Sequence, residues 1–436
     1  MKLIKYIFLL TAFSFCWTGC EIDEIPNPNG PTIETYLEDA SKSQLQTLAT
    51  GMESLLRQEI GFYYDVTSIL GREYYFFTGS DPRYTGELLG KGEAQLDNAG
   101  FYGTRPYYGR YKTIKNGNIL IEAAQNSNAI DEMELSGYLG FVKTFQAYEY
   151  LLALNLQYQN GIRIDVSNQE NLGPFVDYDA ALVAIKSLLD EADADLSAAG
   201  DAFPFALSAG MTGFDDPGSF KLFNRAIKAR VALYQSDYGD ALSALGSSFM
   251  DMAGDLNNGP ARFYSTAGGD AVNNIYRVPG QADAIIVHPS FIDDVVEGDS
   301  RLDNKVAIRD SVLALDGLSG LYDVSVFKSL DDAVSYINNK ELILISAEAN
   351  VKSGNMGDAV AAIDVIRGAA GLAAYAGAMD EAALMAEIRY QRRYSLFGEG
   401  HRWIDMRRWG LLDQLPLDRE GDDVWVQFPR PVSETE

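Results

Sequence analysis

The chain has almost no cysteine: of 436 residues only Cys16 and Cys20 carry thiols, and both fall within the first 20. A body without cysteine has no disulfide framework, so its stability rests on packing. Histidine is equally scarce, with His288 and His401 alone. His401 and Asp405 are four apart and share a face if helical, with Glu399 nearby, but a metal site needs further ligands, and a structural role is the simpler reading. Basic residues are outnumbered, 35 against 62 acidic, for a formal charge of -27. That balance argues against a protein that tracks a nucleic-acid backbone, which requires clustered Lys and Arg. Three catalytic signatures are missing as well: no GxSxG elbow, no HExxH and no Walker-type glycine loop. Paired carboxylates remain open among so many acids, but nothing singles out an enzyme, a cofactor or a metal.

The N-terminus departs from the rest. Lys2 and Lys5 precede the apolar run YIFLLTAFSFCW, which is too short to span a bilayer, since a transmembrane helix needs ~20 apolar residues. This is the pattern of a secretory signal, residues 1–19, with Gly19 ahead of Cys20. The arrangement resembles a bacterial lipobox, although Trp17 stands where Leu is usual; it implies lipidation at Cys20, the alternative being an ordinary secretory signal. EIDEIPNPNGP then has little apolar material and reads as a tether, 20–38, ahead of one domain, 39–436. An acidic stretch directly after the cysteine is similar to the surface-export signal of Bacteroidetes lipoproteins.

The body reads as helical. Leu45, Leu48, Met52, Leu55 and Leu56 recur at helical spacing behind Ser41 or Ser43. Met133 to Tyr158 predicts one long helix, and others are expected at Ala180–Leu196, Phe220–Gln235, Lys340–Lys352 and Glu381–Leu396. An internal repeat lies among them: ARVALYQSDYGDALSAL, from Ala229, aligns without a gap to AEANVKSGNMGDAVAAI, from Ala347. Each copy is a small-residue helix, a polar turn and a second helix with Asp240 or Asp358 as the expected N-cap. This is the logic of tetratricopeptide repeats. Between the helices, segments of roughly 62–110 and 250–335 read as irregular insertions, with IYRV, DAIIV and DVSVF as short strands at most.

The first insertion is dense in rings. From Phe62 to Tyr111, 13 of 50 positions are aromatic, in doublets beside Gly, Pro, Arg and Asp rather than at a regular period. That pattern places some of them at the surface, where rings receive the apolar face of a sugar and neighbouring polar groups bind its hydroxyls. The expected stacking residues are Tyr74, Tyr75, Tyr84, Tyr102, Tyr107 and Tyr108, and the expected polar partners are Arg72, Asp81, Arg83 and Arg105. Packing of the loop onto the helices is the competing role for each tyrosine. Phe263, Tyr264 and Tyr276 of the second insertion are expected to close the site.

RYQRRYSLFGEGHRWIDMRRWG, from Arg389 to Gly410, places six arginines, two of the four tryptophans and His401 in 22 positions. In a chain this acidic, the cluster reads as a buried clasp: guanidinium planes on indoles, forks on carboxylates.

That stretch resembles the C-terminal signature of the RagB/SusD family, F-E-G-x-R-W-x-D-L-R-R-W-G, with Gly398 and Met406 as departures. GREYYFFTGSDPR, KTIKNGNILIEAA, EGDSRLDNKV and the second repeat copy agree in order. The resemblance implies an all-α fold with stacked tetratricopeptide-like helix pairs and long irregular ligand-side insertions. It also implies a non-enzymatic outer-membrane lipoprotein of the cell surface. Such a protein binds a glycan or peptide and acts as a lid on a SusC-like TonB-dependent transporter. A glycan-active enzyme and a peptide-binding scaffold without a transport role remain the alternatives. The family's sugar platforms are often tryptophan; here Tyr and Phe must serve.

Overall fold

The computed structural model describes residues 33–168 and 170–434. Its first helix, α1 (Ile33–Asp39), occupies the end of the segment read as tether and is held by Asn126, whose Nδ2 donates to the Leu37 carbonyl at 2.9 Å. Helix α2 (Lys42–Leu56) opens at Ser41, whose Oγ accepts from Gln44 N, while Gln44 Oε1 accepts from Ser41 N at 2.9 Å. That reciprocal box satisfies two N–H groups the helix itself leaves unpaired. Leu45, Ala49, Met52 and Leu56 form its buried stripe.

Helices α3 (Ile60–Leu70), α4 (Phe101–Gln125), α5 (Glu132–Gln157), α6 (Tyr178–Ala198), α7 (Pro217–Tyr234) and α8 (Tyr238–Gly246) follow. From α4 to α8 each packs on the next, and α11 (Asn339–Lys352) joins the end of this stack against α8. Helices α12 (Met356–Ala369) and α13 (Glu381–Ser395) complete it around a second, smaller core. Close approach of α5 and α6 depends on Gly140, where a Cβ would meet Leu196 Cγ at 2.5 Å.

The internal repeat corresponds to the hairpins α7–α8 and α11–α12. Ser236 and Gly354, equivalent in the two copies, both turn the chain with positive φ (58° and 82°). Asp237 N donates to Ala232 O, and Asn355 N to Asn350 O, again at equivalent positions. The N-caps are Asp237 and Asn355; Asp240 and Asp358, expected as caps, lie in the first turn instead. An acid there still favours the helix, through the dipole.

The insertions carry more order than the pattern predicts. Strands β1 (Tyr74–Phe77), β5 (Ala284–Val287), β6 (Val306–Leu315) and β7 (Leu318–Val324) make an antiparallel sheet in the order β1-β5-β7-β6. It ties the first insertion to the second. Short pairs, β2 (Ile162–Arg163) with β3 (Phe175–Val176) and β4 (Ala261–Arg262) with β8 (Val334–Ser335), pin other loops. IYRV is not a strand. Helices α9 (Pro289–Asp293) and α10 (Arg301–Lys305) are short.

The arginine-rich stretch is the predicted clasp. Gly398 and Gly400 both have positive φ (74° and 77°), which ends α13 and lets α14 (Arg402–Arg408) return against α3. Arg407 lies over Trp403 and Tyr158, 4.6 and 4.2 Å from the ring centres, and its fork donates to the Val426 and Asn155 carbonyls. Arg408 donates to Glu348 on α11 and to Asp405, and Trp409 Nε1 also donates to Glu348 at 3.0 Å. His401 is buried, 3.6 Å from Glu341, and burial lowers its pKa.

Candidate functional site

Most of the expected stacking residues are in the core. Tyr74, Tyr75, Tyr102 and Tyr107 are at most 2 % exposed, and Tyr84 is buried too. The correction has a local cause: the doublets sit on regular elements, β1 and α4, and α4 continues through Gly103, Pro106 and Gly109 where turns are expected. On α4 one ring of each neighbouring pair therefore faces inward, while on β1 both Tyr74 and Tyr75 are buried. Tyr74 Oη donates to Tyr64 O at 3.2 Å, Tyr75 stacks on Phe77 at 5.5 Å, and Asp97 N donates to Tyr102 Oη at 2.6 Å. Arg72 is likewise structural. It takes a left-handed backbone (φ 54°), is 1 % exposed, and donates to the Asp423 and Pro416 carbonyls at 2.6 and 3.2 Å.

Tyr108, Arg105, Arg83 and Asp81 reach the surface, and they are joined by residues the sequence reading did not single out. Arg105 lies 4.3 Å over Phe62 while its Nε and Nη2 donate to Glu59 at 2.9 and 3.0 Å. Arg83 lies 4.6 Å over Phe101 while its fork donates to Asp81 at 2.9 and 2.7 Å. Phe62 and Phe101 meet edge to face at 5.6 Å, so the two arginine–carboxylate pairs flank one half-buried aromatic row. Tyr84 and Phe76 extend that row, and Arg277 of the second insertion caps it 5.6 Å over Phe76. The alternation of Arg and Phe across positions 62–105 is the signal that could have found this face.

Its electrostatics are those of matched charges. The Asp81 carboxyl is held below the usual carboxylate range by the hydrogen bonds from Arg83. Arg277 faces Asp65, 3.5 Å away, whose carboxyl is nonetheless pushed up to about 6 by burial. Donors and acceptors alternate along an aromatic strip with no net charge. Such a strip suits a molecule whose own groups both donate and accept, such as a polyol.

Of the second insertion, Tyr276 is half-buried and Tyr264 is buried, which removes Tyr264 from the expected closing set. Phe263 is 38 % exposed and belongs to a separate cleft. A third site, a cleft of about 310 Å³ beside Tyr64 and Phe327, is floored by Glu399, which Lys340 contacts at 2.9 Å. Burial works against the Glu399 carboxylate, but Lys340 and Lys305 outweigh it and hold its pKa at about 2. Burial also pulls Lys305 down to about 7. Among the described residues no group of three or more His, Asp or Glu is placed to hold a metal ion, and no helix is long and apolar enough to cross a membrane.

Residues 341–427 match the SusD family, the segment that carries the clasp and the second repeat copy. No curated protein matches the chain. Solved structures do. A SusD superfamily protein from Bacteroides vulgatus superposes with a TM-score of 0.67 at 15 % identity, covering 91 % of this chain and 97 % of that one. A SusD-like carbohydrate binding protein from the same species gives 0.63 at 14 % identity, over 84 % and 83 % of the two chains. Surface glycan-binding protein A from Bacteroides uniformis gives 0.63 at 16 %, over 84 % and 88 %. The C-terminal segment matches the SusD family, and the fold, shared over most of the chain, is SusD-like.

Proposed function

We propose that this protein binds a glycan on the Arg–Phe face and delivers it to a partner TonB-dependent outer-membrane transporter, acting as a non-enzymatic lid. The observation that carries the reading is the pair of forks, Arg83–Asp81 and Arg105–Glu59, laid on Phe101 and Phe62. Guanidinium and carboxylate groups fixed over and beside these rings bind hydroxyls in defined directions, while the ring surface that the arginines leave open receives apolar C–H groups. Two of the structural neighbours are named as carbohydrate- or glycan-binding proteins, which supports the class of ligand. The carboxyls raised to about 6 or 7, Asp65, Glu73 and Glu149, are each at most 2 % exposed, which supports binding rather than hydrolysis. Attachment to the outer membrane through Cys20, facing the exterior, and a contact with a SusC-like partner through the helical stack complete the proposal. Cys20 lies outside the described residues.

Calorimetry across neutral oligosaccharides and peptides, with ligand recovered and analysed after incubation, tests the reading. Stoichiometric binding of an unchanged oligosaccharide, weakened by Arg83→Ala and Arg105→Ala together, is the expected result. Exclusive binding of peptides, or chain cleavage, would replace it with the scaffold or the enzyme.

A further inference from the structure

A second cleft, of about 330 Å³, lies between α2, the turn at Ser208 and the residues after β4. Its volume is within the range of small-ligand sites. The backbone around it is tightly fixed: a Cβ at Gly210 would stand 2.1 Å from the Ala261 carbonyl. Three of its charged residues are accounted for. Glu53 accepts from Ser208 Oγ at 2.8 Å and from Ser208 N at 3.1 Å. Arg57 donates to Asp270 at 2.6 Å and to the Phe263 carbonyl at 2.9 Å.

Arg262 is the exception. It lines the cleft and is 1 % exposed, donating from Nε to Leu56 O at 2.9 Å and from Nη2 to Tyr148 Oη at 3.0 Å. Nη1 is buried without a hydrogen-bond partner among the described residues, and no carboxylate there pairs with this guanidinium, whose company is the Tyr336 ring at 4.3 Å. Its charge acts on the Glu149 carboxyl, but that group is already paired with Arg110 at 2.9 Å, so this buried guanidinium has no carboxylate of its own. Beside it Phe263 presents an exposed ring.

We infer that this cleft is a subsite for a carboxylate-bearing sugar unit, with Arg262 supplying the counter-charge and Phe263 the platform for the pyranose ring. A carboxylate supplies acceptors to a guanidinium and compensates its charge; a neutral hydroxyl does only the first. Glu53 works against the acid, because a second carboxylate shares the cleft. Its pKa is raised, burial being the main cause, which lessens that repulsion. The inference rests on the glycan-binding reading, from which it differs in specifying an acidic residue in the chain bound.

The test is calorimetric titration of the mature protein with uronate-containing oligosaccharides, each beside its carboxyl-reduced counterpart and a neutral panel. The acidic form is expected to bind at least about tenfold tighter than its reduced partner. Phe263→Ala should cost about tenfold in affinity for both forms, Arg262→Gln should abolish the preference, and Glu53→Gln should strengthen binding of the acidic form alone. Because Arg262 is buried, the exposed Phe263 and the Glu53 variant keep the test decisive if Arg262→Gln does not fold. Equal binding of acidic and reduced forms, or affinity for the acidic form that neither Glu53→Gln nor Phe263→Ala changes, overturns the subsite and leaves the glycan reading standing. Binding of no oligosaccharide at all overturns both.

Discussion

Arg392 on α13 and Asp405 on α14 form a buried two-point ion pair, with Nε and Nη2 donating at 2.7 and 3.1 Å across the FGEG break. Burial works against the Asp405 carboxylate, but Arg392 and Arg408 outweigh it and hold its pKa below the usual range. The pair anchors the turn that brings α14 onto α3. Arg392→Ala leaves Asp405 buried with half its compensation. We expect a loss of about 3–5 kcal/mol in denaturant unfolding. Lys42→Ala, which removes an exposed partner of Glu134, should cost less than about 1 kcal/mol. Equal effects would show that the clasp is not what holds this end of the fold.

Asp65 gives a pH dependence of defined sign. Its pKa is about 6 when folded against 3.8 as the reference value, so between these limits the folded state holds more protons than the unfolded. Its contribution is therefore most favourable below about pH 4 and is lost as pH rises through 6. The change is on the order of 3 kcal/mol. Stability of the wild type relative to Asp65→Asn should fall from pH 4 to pH 7; other groups act in both proteins and cancel. A flat difference would place Asp65 in a more polar setting than this structure gives it.

The α5–α6 crossing predicts that Gly140→Ala destabilises, although alanine favours helices. The added Cβ would stand 2.5 Å from Leu196 Cγ and 3.1 Å from the Ala192 carbonyl. Overpacking of about 1–3 kcal/mol exceeds the propensity gain of up to about 1 kcal/mol. Thermal unfolding measures the balance, and a raised Tm would contradict it.

Tyr107 and Tyr108 should separate cleanly. Tyr107 is 0 % exposed and Tyr108 37 %. Tyr107→Ala is expected to cost about 3–5 kcal/mol of stability. Tyr108→Ala should change stability by about 0.5 kcal/mol or less while weakening glycan binding about tenfold. Unchanged affinity in a folded Tyr108→Ala protein would remove that ring from the ligand face.

Anchoring is read by fractionation. Cys20→Ala should move the protein from detergent-extracted membranes to the soluble fraction, since stable attachment needs more than one acyl chain and all would be lost with the thiol. Retention at the wild-type level would end the anchoring proposal.

How much of this was legible in advance differs by element. The helices expected from periodicity, α2, α5, α6, α7, α11 and α13, stand within a few residues of their signals, because a long amphipathic pattern reports directly which face is buried, whereas α3 and the first half of α4 lie in a segment read as irregular. The β6–β7 hairpin was missed although its signal was present. Asp316-Gly317, flanked by LAL and LSG, turns with φ of 55° and 80° at the two central positions, as a two-residue hairpin requires.

The proposed ligand face was legible only as a region. Density of rings located it, but which ring of a doublet points inward depends on the phase of the element that carries it. That phase is set by what packs against β1 and α4 from residues far along the chain.

The sequence alone determined the helical class, the repeat and the nature of the arginine cluster, since each depends on spacing within a short stretch and on the cost of leaving charge unpaired. Only the tertiary structure decided that Tyr107 is core while Tyr108 is surface, that Arg83 and Arg105 lie on Phe101 and Phe62, and that the Glu149 carboxylate near Arg262 is already paired with Arg110. Those facts depend on groups brought together across as many as 206 positions, for which no local pattern carries the distance: Arg262 donates to the carbonyl of Leu56, 206 residues away.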